Sequence, residues 1–290
     1  MRLNKGLVIS AIAIASALVL SGCSDSGATS SSDAPVADAM DFAAGTTMAR
    51  LADAGTIKIG TKFDQPLFGL MGPSGTPEGF DIEMGKLVAA KLGIAADKIE
   101  WSEAVSANRE TYASNGTVDL VIATYTINDT RKEVVSFAGP YYEAGQDLLV
   151  LAGNPEGVTG PEDLTGKPVC TVSGSTSEKN IAAYTTNVIA ADTYSACLEP
   201  LRSGTVIAVT TDNVILAGLA DQNAGEFEVL DNPFTEEPYG IGLKKDDTEF
   251  RNFINDVLEE SYADGSWAAA WENTAGSVLA TPTPPAVVRY

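Results

Sequence analysis

Arg131 and Lys132 stand side by side in TYTINDTRKE, directly after the apolar run VDLVIA, in a chain with 39 Asp and Glu against 18 Lys and Arg. An arginine fork beyond a buried strand is matched to a carboxylate, and Thr124 and Thr126 beside it add hydroxyls and backbone N–H groups. On spacing alone the stretch reads equally as a helix start, with Asp129 as cap and Arg131 in water. Three more polar clusters close strand-like runs. Asp212 in TDNVILAG follows VIAVT, either as a plain N-cap or as an anion facing a ligand ammonium group. SGSTSEKN follows VCTV and places Ser175 and Thr176 at a helix N-terminus, where small residues leave N–H groups free for an anion. Lys62 ends a strand in GTKFDQPLF, and Ser106 and Arg109 of SANR open a helix after KIEWSEAV. A lysine so placed is more often solvated than bound to a ligand.

The chain has no histidine, which removes the commonest general base and metal ligand. Its three cysteines, Cys23, Cys170 and Cys197, are too far apart for a CxxC zinc site. No metal or cofactor is expected. A net charge of −21 argues against nucleic acid, whose phosphates need surface cations.

The elements that position these clusters alternate. TIKIG, KIEWS and VDLVIA read as strands, with FDIEMGKLVAAKLG and NRETYASNG as helices between them. Ile82, Leu87, Val88 and Leu92 form one stripe of the first helix. A second block, from GQDLLVLAG to FEVL, repeats the pattern. Then TEEPYGIGL returns to extended structure, and DTEFRNFINDVLEESYADG is a long helix with Phe250, Phe253, Ile254, Val257 and Leu258 on one face. The alternation predicts an α/β fold of two lobes, each a mostly parallel sheet flanked by helices. GPYYEAG and EEPYG are expected to cross between them. The expected bounds are 50–140 plus 241–275 for lobe 1, 146–235 for lobe 2, and 141–145 and 236–240 for the crossings. The Pro-rich stretch 276–290 is expected to be disordered. Ligands of open parallel sheets sit beyond the carboxyl ends of strands, where all four clusters fall.

Arg2, Lys5 and the run LVISAIAIASALVL read as a signal peptide over 1–22, short for a membrane span. LSGC resembles a bacterial lipoprotein box, with Cys23 lipidated, and 23–49 reads as a flexible Ser/Ala/Asp tether. The protein is therefore expected outside the cytoplasm, held to the membrane by lipid. Export permits a disulfide between Cys170 and Cys197, which this compartment favours over two buried thiols.

From about residue 50 to 275 the chain resembles the periplasmic-type solute-binding proteins of polar amino acid ABC transporters. IGTKFDQPLFG, GFDIEMGKLVAAKLG, VDLVIATYTINDTRKEVVSFAGPYY, SGSTSEKN, VTTDNVILAGLA, EEPYGIGLKKDD and ADGSWAAAWEN match in order. The resemblance implies a type II clamshell closing on one amino acid and docking, as a monomer, on a permease. It implies that Arg131 and Thr126 hold the ligand α-carboxylate, with Ser175 and Thr176 completing the cradle and Lys132 solvated. It implies that groups at Ala123 and Thr124 accept from the α-ammonium, which Asp212 faces from the other lobe. Members that take acidic amino acids carry a cation after strand one and an S-x-N-R stretch, so Lys62, Ser106 and Arg109 are expected at the ligand side chain. Three cations against Asp212 suit glutamate, with aspartate one methylene shorter; glutamine would leave buried cations without an anion. The other expectations are a glutamine or other polar amino acid binder, a sensory domain feeding a receptor, and a dehydratase-like enzyme on the same scaffold.

Overall fold

The computed structural model describes Val36 and residues 41–290. The expected signal peptide, the lipidation site Cys23 and most of the tether lie outside the described residues. Among the described residues no helix is long and apolar enough to cross a membrane.

The chain begins with α1 (Thr47–Ala54), capped by the Thr46 side chain at one end and by left-handed Gly55 at the other. It starts inside the stretch read as tether, because Leu51 is buried and Phe42 packs edge-on against Phe253. β1 (Ile57–Thr61) follows, then a small antiparallel sheet of β2 (Asp64–Gln65), β3 (Gly69–Met71) and β4 (Pro77–Glu78). α2 (Phe80–Lys91), β5 (Ile99–Glu103), α3 (Arg109–Asn115), β6 (Leu120–Val121) and α4 (Asp129–Lys132) lead to the long strand β7 (Val135–Ala144). Of the expected stripe, Ile82, Val88 and Leu92 are buried and Leu87 is half-buried; Met84 and Ala89 join the core beside them.

The second block is β8 (Gln146–Leu151), β9 (Val169–Val172), α5 (Thr176–Ile181), β10 (Val188–Ala191), α6 (Leu198–Arg202), β11 (Ala208–Asp212), α7 (Asn213–Gln222) and β12 (Phe227–Val229). β13 (Glu237–Lys244), α8 (Thr248–Asp264) and α9 (Ser266–Glu272) return to the first. One five-stranded sheet runs β5-β1-β6-β13-β7, the other β10-β9-β11-β8-β12. The first three strands of each are parallel, and the last two join antiparallel. The chain passes between sheets at Gly145 and again before Glu237, and the two passing strands pair, with Ala144 opposite Glu237 and Tyr142 opposite Tyr239.

Beside these crossings Phe68 is fully buried, with the rings of Phe80, Tyr142, Tyr239 and Trp271 about it at 5.9–6.1 Å. Edge-to-face contacts add about 0.5–1.5 kcal/mol each beyond burial. They anchor the loop that follows Lys62. Cys170 of β9 and Cys197 before α6 form a disulfide that fixes this strand to its neighbouring helical turn.

The tail expected to be disordered instead lies along β7, the edge strand of the first sheet. The Phe137 N–H donates to the Tyr290 hydroxyl at 2.8 Å, and the Val288 N–H donates to the Gly139 carbonyl at 2.8 Å. An edge strand leaves such groups unpaired. The prolines exclude a helix but not this docking. Lys132 is likewise not merely solvated: its Nζ lies 4.8 Å from the Tyr290 ring centre.

Candidate functional site

The chain beyond β6 forms one wall of the seam between the lobes. Thr124 there has φ +45°, uncommon for a residue with a Cβ. Its N–H donates to Asp81 Oδ2 at 2.8 Å, and the other oxygen of Asp81 accepts from the Tyr141 hydroxyl at 2.6 Å. Burial pushes the Asp81 carboxyl up to about 7 despite these bonds. Arg109 at the start of α3 donates through Nη1 to the carbonyls of Ala123 at 3.0 Å and Thr124 at 3.3 Å. Thr124 Oγ1 lies 2.8 Å from Ala123 O and 2.9 Å from Gln65 Oε1, and its one proton serves one of the two.

Arg131 is 6% exposed, so the reading of it as solvated fails. The α4 cap is Asn128, whose side chain accepts from the Arg131 N–H, and not Asp129. The Arg131 fork reaches Glu110 Oε1 through Nε at 3.0 Å and the Thr126 carbonyl through Nη1 at 2.7 Å. Its Nη2 crosses the seam to the Gly174 carbonyl at 3.4 Å. Both guanidinium groups rest on Tyr125, at 4.5 Å for Arg109 and 4.9 Å for Arg131. Lys62 is buried and donates to Ser106 Oγ at 2.9 Å. Burial, reinforced by Arg109, lowers its ammonium to about 7.

The facing wall carries Asp212 at the end of β11. Its side chain does not cap α7. One oxygen accepts from the Tyr239 hydroxyl at 2.6 Å, and Oδ1 is buried without a partner. Burial and the nearby Glu237 raise its carboxyl to about 7, partly offset by the pull of Arg109 and Arg131. These two arginines also push Lys62 down, so the three cations and Asp212 share one electrostatic neighbourhood. Thr176 Oγ1 lies 3.5 Å from Thr126 Oγ1 across the seam. Ser175 Oγ accepts from the Glu178 N–H at 2.9 Å as the cap of α5.

Of the expected positions, Arg131 and Thr126 meet the other lobe directly, at Gly174 and Thr176, while Lys62, Ser106, Arg109, Ala123 and Thr124 are linked to one another within the first lobe and Asp212 and Ser175 stand in the second. Glu110, Asp81, Gln65 and Tyr239 were missed. An acid inside the apolar helix sequence GFDIE was a legible signal for Asp81; the others have none in sequence, since they act through partners distant in the chain.

Two α/β lobes joined by paired crossing strands, with charges of both signs buried between them, define a type II periplasmic-binding-protein clamshell. The chain belongs to the bacterial extracellular solute-binding proteins, family 3, which it matches over residues 57–274. It is 41% identical over 255 residues to the glutamate-binding protein GluB of Corynebacterium glutamicum, covering 83% of this chain and 85% of that one. It is 39% identical over 225 residues to the ABC transporter glutamine-binding protein GlnH of Bacillus subtilis, covering 76% and 81%. Among solved structures, an ancestral arginine-binding protein bound to glutamine is similar at 36% identity and a TM-score of 0.70, covering 76% of this chain and 97% of that one.

Proposed function

We propose that the chain is the substrate-binding component of an amino acid ABC importer and that its ligand is glutamate. The observation that carries this reading is three buried cations in one neighbourhood, Lys62, Arg109 and Arg131, each at most 6% exposed, with Glu110 paired to Arg131 and with Asp81 and Asp212 as further acids. Burial raises the Asp81 and Asp212 carboxyls to about 7, which weakens their offset of the cations, and a dicarboxylic zwitterion supplies two further carboxylates. Arg131 and Thr126 would take the α-carboxylate, with Ser175 and Thr176 from the other lobe. Asp212 Oδ1 would take the α-ammonium, and Lys62, Ser106 and Arg109 the side-chain carboxylate. The glutamate-binding relative supports the same ligand.

Ligand held by both lobes favours the closed form. The hinge would be 141–145 with 236–240, and the closed monomer would dock on permease subunits. We further propose that Cys23 carries a lipid anchor outside the cytoplasm, and that the protein binds without turning its ligand over.

Glutamine is the second reading. Burial lowers the Lys62 ammonium to about 7, and a neutral Lys62 tolerates a carboxamide; glutamine-binding relatives point the same way. Calorimetric titration with glutamate, aspartate, glutamine and arginine tests the proposal. Glutamate binding tightest supports it; glutamine or arginine binding tightest refutes the side-chain assignment.

A further inference from the structure

The family match ends at residue 274, yet the segment beyond it is fixed to the first lobe at several points. Leu279 and Val287 pack against the main core. Arg289 reaches Asp256 at 2.6 Å and Glu259 at 2.8 Å on α8, and such exposed pairs stabilise little. Tyr290 is held more closely. Its hydroxyl accepts from the Phe137 N–H of the edge strand β7 at 2.8 Å. Its ring centre lies 4.2 Å from the guanidinium of Arg251 and 4.8 Å from Lys132 Nζ. Its backbone oxygen accepts from Arg251 Nη2.

Two of these contacts lead to the arginines of the site. Lys132 follows Arg131 in α4, a single turn of four residues. A helix so short is not stable by itself, so its neighbours must hold it. Here the Tyr290 ring meets the Lys132 side chain, and Lys245 Nζ donates to the Lys132 carbonyl. The second route runs through Phe137, whose ring packs edge-on against Tyr125 at 4.7 Å. Tyr125 is the ring on which both Arg109 and Arg131 rest.

We propose that Tyr290 is a positioning residue for ligand binding: docked on β7, it holds α4 and the Phe137–Tyr125 pair where Arg131 can present its fork to the ligand. This rests on the reading of Arg131 as the α-carboxylate contact. Every amino acid carries that carboxylate, so the docked tail serves affinity and not the choice of side chain.

The test compares the wild-type chain, Tyr290→Phe and Tyr290→Ala far below their melting temperatures, where each is folded. Hydrogen exchange of the ligand-free proteins reads the amides of 124–137 against those of 208–222 in the other lobe. Calorimetry with glutamate and with glutamine reads affinity and the fraction of competent sites. Tyr290→Ala is expected to speed exchange over 124–137 by about threefold or more and to leave 208–222 unchanged. Both dissociation constants should rise by the same factor, about three- to tenfold, with every site still competent. Tyr290→Phe keeps the ring over Lys132 and Arg251 and should fall between wild type and Tyr290→Ala. Unchanged affinity in Tyr290→Ala overturns the proposal, because a tail that only adds stability lowers the melting temperature and nothing else. Unchanged exchange over 124–137 overturns it too, as does exchange that quickens equally in both lobes. Unequal factors for the two ligands also overturn it. A wild-type chain that binds neither amino acid refutes the reading of Arg131 instead; exchange, read without ligand, tells the two failures apart.

Discussion

Gly218 of α7 abuts the backbone of Pro66 across the seam: a Cβ on Gly218 would stand 2.5 Å from the Pro66 carbonyl oxygen. Gly174 meets Ala107 in the same way, at 2.8 Å from its Cα. A glycine inside a helix is otherwise a liability of about 1 kcal/mol relative to alanine. Its presence here is explained by lobes that must come this close.

Gly218→Ala is therefore expected to act with opposite signs on the two states. The clash exists only where the lobes meet, while the helix itself gains. The ligand-free protein should melt at the same temperature or higher, and its Kd for ligand should rise about tenfold or more. Thermal scans with and without ligand, beside calorimetry, read both effects. A variant that binds as the wild type does would show that closure tolerates the added carbon.

Arg131 and Arg109 should differ less than their roles suggest. Arg131→Ala removes the arginine fork that reaches both Thr126 and Gly174, and all amino acid binding should be lost beyond about 100-fold. The sequence alone suggests that Arg109→Ala spares neutral ligands. Its Nη1 also holds the carbonyls of Ala123 and Thr124, so neutral ligands should weaken as well, by about tenfold. Titration of both variants with glutamate and glutamine decides this.

Affinity for glutamate should peak near neutral pH. Burial between the lobes raises the Asp212 carboxyl to about 7; below that it is protonated, a ligand ammonium must displace the proton, and affinity falls as pH falls. Burial lowers the Lys62 ammonium to about 7; above that it is neutral, a ligand carboxylate must recruit a proton, and affinity falls as pH rises. Each limb approaches about tenfold per pH unit. Asp81 titrates in the same range, so variants must separate the limbs. Lys62→Met should abolish the alkaline limb and keep the acid one. Titrations across pH 5–9 measure both.

Reducing the Cys170–Cys197 bond opens a loop whose ends lie 27 residues apart. The loss is expected to be about 2–4 kcal/mol, seen as a lower denaturant midpoint with reductant than without. A Cys170→Ala, Cys197→Ala chain should then be insensitive to reductant.

The alternation of apolar runs and amphipathic helices was enough to read two α/β lobes, and the cations Lys62, Arg109 and Arg131, after strand ends or at a helix start, are buried in the structure as a site there requires. Local pattern could not say what each polar group touches. Asp212 has the position of an N-cap, yet its carboxyl turns to Tyr239, 27 residues away. Gln65 sits in a Gly- and Pro-rich stretch without periodicity, where a short three-stranded sheet forms around Phe68, which packs against the rings of Phe80, Tyr142, Tyr239 and Trp271. The tail was misread for a similar reason: its partners, Phe137 and Gly139, lie on an edge strand about 150 residues earlier.

The central claim is that Lys62, with Ser106 and Arg109, reads an acidic side chain while Arg131 and Asp212 hold the zwitterion. Its most direct test is calorimetry of wild type and Lys62→Met with glutamate and glutamine at neutral pH. The expected result is tighter binding of glutamate by the wild type, and a preference lost or reversed in Lys62→Met. An undiminished preference for glutamate without the lysine would contradict it.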